Sequence, residues 1–155
     1  MLTFSPHDPQ HKPVVHQLEV HPYVLSHIQE VIDLASKHDI LTAAFGPLAP
    51  LSSHPTGGPA KPILEKIAAR LSKETGKDVD SQQALLLWSR AKKIMPVTGS
   101  HTPERMQRQA AVQQLPDITA EEVAEVDKAG LQVLYRKYPE HYKHDYPAPD
   151  LPEDI

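Results

Sequence analysis

The chain has 155 residues, a formal net charge of -4 at pH 7, 39% hydrophobic residues and no cysteine. That length supports one compact core. The acidic balance offers no basic field for a nucleic-acid backbone, and the lack of thiols excludes disulfides and thiolate metal sites.

The opening "MLTFSPHDPQHKP" lacks the basic start and apolar run of a secretory leader. No stretch reaches the roughly eighteen apolar residues of a spanning helix, so a cytoplasmic protein without a membrane partner is expected. The sixteen prolines cluster at 6–13, 47–62 and 147–152, which reads as connections and ends between periodic segments. In "VVHQLEV" (14–20), strand-like alternation puts Val14, His16, Leu18 and Val20 on one side and Val15, Gln17 and Glu19 on the other. Residues 26–38 predict a helix capped by Ser26, with Ile28, Val31, Ile32, Leu34 and Ala35 as its apolar stripe. "ILTAAF" (40–45) is a near-continuous apolar run, as expected of a parallel strand buried on both faces.

The following "GPLAPLSSHPTGGPAKP" predicts a loop long enough to carry function, with Gly57-Gly58 as a hinge at most. Helices are predicted at 62–75, with Ile63, Leu64, Ile67, Ala68 and Leu71 inward, and at 80–92, capped by Asp80. "KIMPV" (93–97) is a short strand. A helix at about 102–113 starts from Thr102 as cap and Pro103 at its first position, and a Thr119–Glu122 capping box opens another at about 119–131. The aperiodic tail from Tyr135 reads as an extension laid across a surface.

This order of strands and helices implies right-handed parallel crossovers and an α/β fold. Three strands are few, and a complete (β/α)8 barrel takes about 250 residues, so an incomplete barrel is expected. The divisions are an irregular segment at 1–12, (β/α) units at 13–131 and a tail at 132–155.

Three constellations could carry chemistry. "PVTGSHTPERMQRQ" is a strand-to-helix turn of small residues, where free amides and a positive helix end can meet an anion. Ser100, Arg105 and Arg108 are its candidates, and an ordinary cap with solvated arginines is the competing reading. Phe45, followed by Gly46 and Pro47, ends a strand where ligands bind in α/β folds; it either stacks on a heterocycle or plugs the core. Gln17 has an amide that can donate and accept to a carboxamide, or it simply faces solvent. The ten histidines show no ligand spacing, so no protein metal site is expected.

In order and spacing, "KPVVHQLEVHPY", "DILTAAFGPLAP", "PILEKIAARLSKETGKDVDSQQALLLWSRAKKIMPVTGSHTPERMQRQ" and "DITAEEVAEVDKAG" resemble the carboxyl-terminal half of an aldo-keto reductase over about residues 12–131. The resemblance implies the last three strands of a TIM-type (β/α)8 barrel. It also implies an NADP(H)-dependent reduction of an aldehyde or ketone to an alcohol. Gln17 would hydrogen-bond the nicotinamide carboxamide. Phe45 stands where the family usually has a stacking Tyr, and Gly46, with Pro47 and Leu48, replaces a Ser that contacts the pyrophosphate.

Ser100 and Arg105 match the 2′-phosphate site, while Arg108 and Gln109 hold the positions of a Glu and an Asn near the adenine. Thr98-Gly99 stands in place of a frequent Lys, and Arg108 reverses a charge. The family's catalytic Asp, Tyr, Lys and His belong to the first half of the barrel, so no catalytic residue carries over. The alternative is an inactive half-barrel that acts as a cofactor-binding or interaction module through open strand edges.

Overall fold

A computed structural model describes residues 12–138. Residues 1–11 and the tail beyond Tyr138, with His7, His11, His141 and His144, lie outside the described residues.

Three parallel strands, β1 (Val15–Glu19), β2 (Leu41–Phe45) and β3 (Met95–Pro96), form a sheet in the order β1-β2-β3. Gln17 pairs with Ala43 and Glu19 with Phe45, and Ala43 pairs in turn with Met95. Val15, Gln17, Glu19, Leu41, Ala43, Phe45 and Met95 therefore share one face. The opposite face turns Leu18, Val20 and Ala44 into the main core.

That core is built by α1 (Leu25–Lys37), α3 (Lys61–Thr75), α4 (Ser81–Ala91) and α6 (Ala120–Gly130). A short α2 (Ala49–Ser52) precedes α3, and α5 (Pro103–Ala111) runs into a 3-10 turn, Val112–Gln114. Leu64, Ile67, Leu71, Leu85, Leu87, Trp88 and Val126 are almost wholly inaccessible. Trp88 Nε1 donates to Asp127 Oδ1 at 2.8 Å, which satisfies the one polar atom of that ring. Arg70 donates twice to the Glu122 carboxylate, at 2.6 and 2.7 Å, and so clamps α3 to α6.

Local cap chemistry explains where two helices start. Asp80 accepts from the Gln83 amide while the Gln83 side chain accepts from Asp80, and Thr119 and Glu122 do the same for α6. Two expected caps differ. Ser26 does not cap α1, because a turn from His21 to Val24 leads directly into a helix that starts at Leu25. Thr102 is the cap residue of α5, but its side chain makes no capping bond. Ser100 Oγ instead accepts from the Thr102 amide at 3.0 Å.

Three further expectations need correction. The α1 stripe is narrower than predicted: Ile28 and Ala35 are buried, while Val31 and Leu34 are exposed. β2 is covered on both faces only along its middle, where Thr42, Ala43 and Ala44 are buried, and its first residue, Leu41, is 42% exposed. On the same face lie Val15 at 43% and Met95 at 43%. The Gly57-Gly58 pair is not a hinge. Tyr23 Oη donates to Gly57 O at 2.6 Å and accepts from Ala60 N at 3.0 Å, and a Cβ on Gly58 would press on the Tyr23 hydroxyl. With both glycines at positive φ, the loop is pinned to a buried ring. No helix of the described residues is long and apolar enough to cross a membrane.

Candidate functional site

The carboxyl ends of β2 and β3 open into a cavity of about 280 Å³. The β2 exit supplies Gly46, Pro47 and Leu48, the β3 exit supplies Thr98 and Gly99, and α5 supplies Arg105 and Gln109. Gly46 sits at φ 60°, a left-handed conformation that lets the chain turn sharply from Phe45 into α2. Seven of the eleven residues expected to meet a cofactor thus line one space, although they come from segments about fifty positions apart.

The remaining four are placed as follows. Phe45 is half-buried at the head of β2, with the Tyr138 ring edge-on at 5.5 Å between centroids. Gln17 is exposed on the same sheet face as Phe45, two residues before Glu19. Ser100 lines a second, larger cavity of about 670 Å³ beside β3, which shares Thr98, Gly99 and Gln109 with the first. The 98–100 turn is therefore a wall between two spaces, with Arg105 on one side of it and Ser100 on the other.

Arg108 is not brought to this group. Its guanidinium donates to Asp80 at 3.0 Å and to Asp78, and these bonds raise its pKa above the ordinary arginine value. Although it lies three residues after Arg105, it turns toward the α3–α4 connection, on a third hollow that Glu104 also lines. The acid in the first turn of α5 is thereby kept off the Arg105 cavity. Within α5, helix geometry leaves the amides of Glu104 and Arg105 without intrahelical acceptors.

Beside this cavity lies a buried polar cluster. Glu19 is 1% exposed and His21 is 0% exposed, and His21 Nε2 lies 3.2 Å from Glu19 Oε1. Burial pushes the Glu19 carboxyl up. The His21 bond and the Lys137 backbone amide, at 2.7 Å, outweigh that and hold it below the usual carboxylate range. For His21, burial dominates and lowers its pKa against the pull of Glu19, with Arg136 and His54 adding to the decrease. The pair is thus a neutral imidazole donating Nε2–H to an ionised carboxylate, not an ion pair. Tyr135 packs its ring on His54 at 4.9 Å and on His21 at 6.3 Å, and its amide donates to Tyr23 O. The start of the tail, 133–138, is consequently laid over the strand ends.

Lys137 and Tyr138 also line the 280 Å³ cavity, together with Ser52 and Gln82. Sequence reasoning missed Lys137 and Tyr138 because the tail has no period from which a position could be read. The Glu19–His21 pair left one signal: two polar residues, two apart, at and just beyond the end of β1.

A strand-end cavity bounded by glycine-containing turns and a helix start is the phosphate-holding arrangement of parallel (β/α) folds. At about 280 Å³ it is smaller than most small-molecule sites, which start near about 300 Å³. A space of that size suits one part of a large ligand rather than the whole.

No protein-family model matches the sequence. The chain is 29% identical over 121 residues to an NADPH-dependent alpha-keto amide reductase of Saccharomyces cerevisiae, covering 78% of this chain and 38% of that protein. It is 31% identical over 94 residues to an NAD/NADP-dependent indole-3-acetaldehyde reductase of Schizosaccharomyces pombe, covering 61% of this chain and 31% of that one. Among solved structures, an aldo/keto reductase from Brucella melitensis superposes with a TM-score of 0.61 at 23% identity, over 79% of this chain and 41% of its own. In fold this is an α/β chain matching part of the aldo/keto reductase architecture. In sequence it resembles the aldo-keto reductases, and it spans less than half the length of the relatives it matches.

Proposed function

We propose that this chain binds NADP(H) as the cofactor-holding part of an aldo-keto reductase-type oxidoreductase. The observation that carries the reading is the convergence of Gly46–Leu48, Thr98–Gly99, Arg105 and Gln109 on one cavity at the strand ends. Relatives named as NADPH-, NAD/NADP- and NADP(+)-dependent enzymes support the choice of cofactor.

When bound, NADPH supplies the hydride for reduction of an aldehyde or ketone to an alcohol. In this chain, Arg105 and the α5 amides hold a phosphate, and the Gly46 turn brings backbone close to the diphosphate. Ser100 hydrogen-bonds from the far side of the 98–100 wall, and Gln109 lines the adenine end. Phe45 offers a ring to the nicotinamide once the Tyr138 edge moves aside, and Gln17 meets the carboxamide. No catalytic residue is assigned to this chain. Arg108 is left out of the cofactor contacts, because Asp78 and Asp80 hold it elsewhere.

Titration of the chain with NADPH and NADH, followed by nicotinamide fluorescence, tests the reading. Saturable binding with NADPH preferred supports it, and no binding at millimolar cofactor overturns it. A parallel assay with NADPH and a simple aldehyde reports whether this polypeptide turns over unaided.

The exposed apolar residues Val15, Leu41 and Met95 on the open sheet face favour a second reading, an interaction module that buries this face against another protein chain. Sedimentation across a concentration series tests it: a strictly monomeric chain that also stays soluble at high concentration argues against self-association.

A further inference from the structure

We infer that Lys137 is a further phosphate-binding residue of the 280 Å³ cavity, holding the diphosphate of a dinucleotide across from Arg105. The inference rests on the cofactor reading above and deepens it.

The first argument is charge. Arg105 and Lys137 both line the cavity, and no Asp or Glu does among the described residues. In a chain with a net charge of -4, the lining itself carries two cations and no carboxylate, and the nearby Glu19 carboxylate is buried behind it on His21 and the Lys137 amide. The neutral part of the lining includes Ser52, Gln82 and Gln109, side chains that donate hydrogen bonds to oxyanions.

The second argument is anchorage. The Lys137 backbone amide donates to the buried Glu19 carboxylate at 2.7 Å, and Tyr135 is held among His21, Tyr23 and His54. The stem of Lys137 is thus fixed at the strand ends although its side chain is solvent-facing. Its ammonium lies 5.5 Å from the centre of the Tyr138 ring, and that ring lies against Phe45 and Gly46. A lysine so placed acts on phosphate as a point charge, whereas Arg105 can form a forked contact. With Lys137 and the Gly46 turn on the tail side of the lining and Arg105 on α5, the cavity has two cationic points, Lys137 for the diphosphate and Arg105 for the 2′-phosphate.

The test uses the full chain and three probes, NADPH, NADH and inorganic pyrophosphate, in calorimetric titrations of wild type, Lys137→Met, Lys137→Arg and Arg105→Met. Lys137→Met is expected to weaken all three probes by about tenfold or more, the size of a lost charge-assisted hydrogen bond. Lys137→Arg is expected to restore most of that loss, and Arg105→Met to penalise NADPH more than NADH.

Wild-type affinity for all three probes in Lys137→Met overturns the assignment while leaving the cofactor reading intact. Pyrophosphate binding that depends on Lys137, without binding of either dinucleotide, upholds the anion site and overturns the cofactor reading. Failure of wild type to bind any probe overturns both. Because Lys137 is exposed, its variants are expected to melt with wild type, and a circular-dichroism melt of each checks this.

Discussion

Replacing Glu19 perturbs the junction between sheet, tail and cavity. Its carboxylate is buried and accepts from His21 Nε2 at 3.2 Å and from the Lys137 amide at 2.7 Å. Glu19→Gln keeps the shape and one acceptor oxygen but removes the charge. A charge-assisted bond contributes about 1.5–3 kcal/mol and a neutral one about 0.5–1.5 kcal/mol, so two weakened bonds lose about 2 kcal/mol, and relief of the buried charge offsets part of this to leave about 1 kcal/mol. Glu19→Ala removes both acceptors and strands two buried donors at about 1–3 kcal/mol each; relief of the buried charge offsets part of this, leaving about 2–4 kcal/mol. Urea unfolding at pH 7.5 reads both as shifts in midpoint at constant slope. Native-state hydrogen exchange adds a local readout, since the Lys137 amide loses its acceptor in Glu19→Ala and is expected to exchange faster than in wild type. A Glu19→Ala chain within about 0.5 kcal/mol of wild type, with the Lys137 amide still protected, would refute the reasoning.

Acid stability follows from the same pair. His21 has a lowered pKa in the fold, so below about pH 6.5 the unfolded chain takes up a proton that the folded chain refuses, and stability falls as pH drops. The lowered Glu19 carboxyl adds a second loss below about pH 4.5, again because the unfolded state binds the proton first. His21→Gln should remove its own share of the first slope, at most about 1.4 kcal/mol per pH unit, and leave the part from His16 and His27, which burial also lowers, in urea midpoints taken from pH 7.5 to 5; an unchanged slope contradicts the assignment. Gly130→Ala places a Cβ inside the van der Waals surface of the Pro22 carbonyl, so a loss of about 1–3 kcal/mol is expected, read as a melting temperature several degrees lower. Arg108→Ala should leave NADPH affinity within about twofold of wild type, because its guanidinium is engaged by Asp78 and Asp80, whereas Arg105→Ala should lower it by about tenfold.

The elements legible in the sequence are those that local chemistry dictates. Asp80 with Gln83 and Thr119 with Glu122 mark their helix starts within a few residues of chain, and the alternation of 14–20 and the apolar run of 40–45 appear as adjacent parallel strands. Boundaries that depend on tertiary contacts were not legible. α1 begins at Leu25 because the buried His21–Val24 turn feeds it, and α2 forms around Pro50 inside a stretch that composition marks as loop.

The site divides in the same way. The turns at 46–48 and 98–100 carry glycines and a following helix, which sequence displays directly. The direction of Arg108 depends on Asp78 and Asp80, nearly thirty positions earlier in the chain. Lys137 reaches the cavity through a bond to Glu19 that spans 118 positions, and no local pattern encodes such a contact.

The central claim is that the cavity between the β2 and β3 exits holds the phosphates of NADP(H). Hydrogen exchange read by mass spectrometry, with and without saturating NADPH, tests it most directly. The account predicts protection concentrated at residues 45–49, 97–105 and 135–138, with 62–75 unchanged. Protection absent from all three segments, or confined to the helical layer, would contradict it.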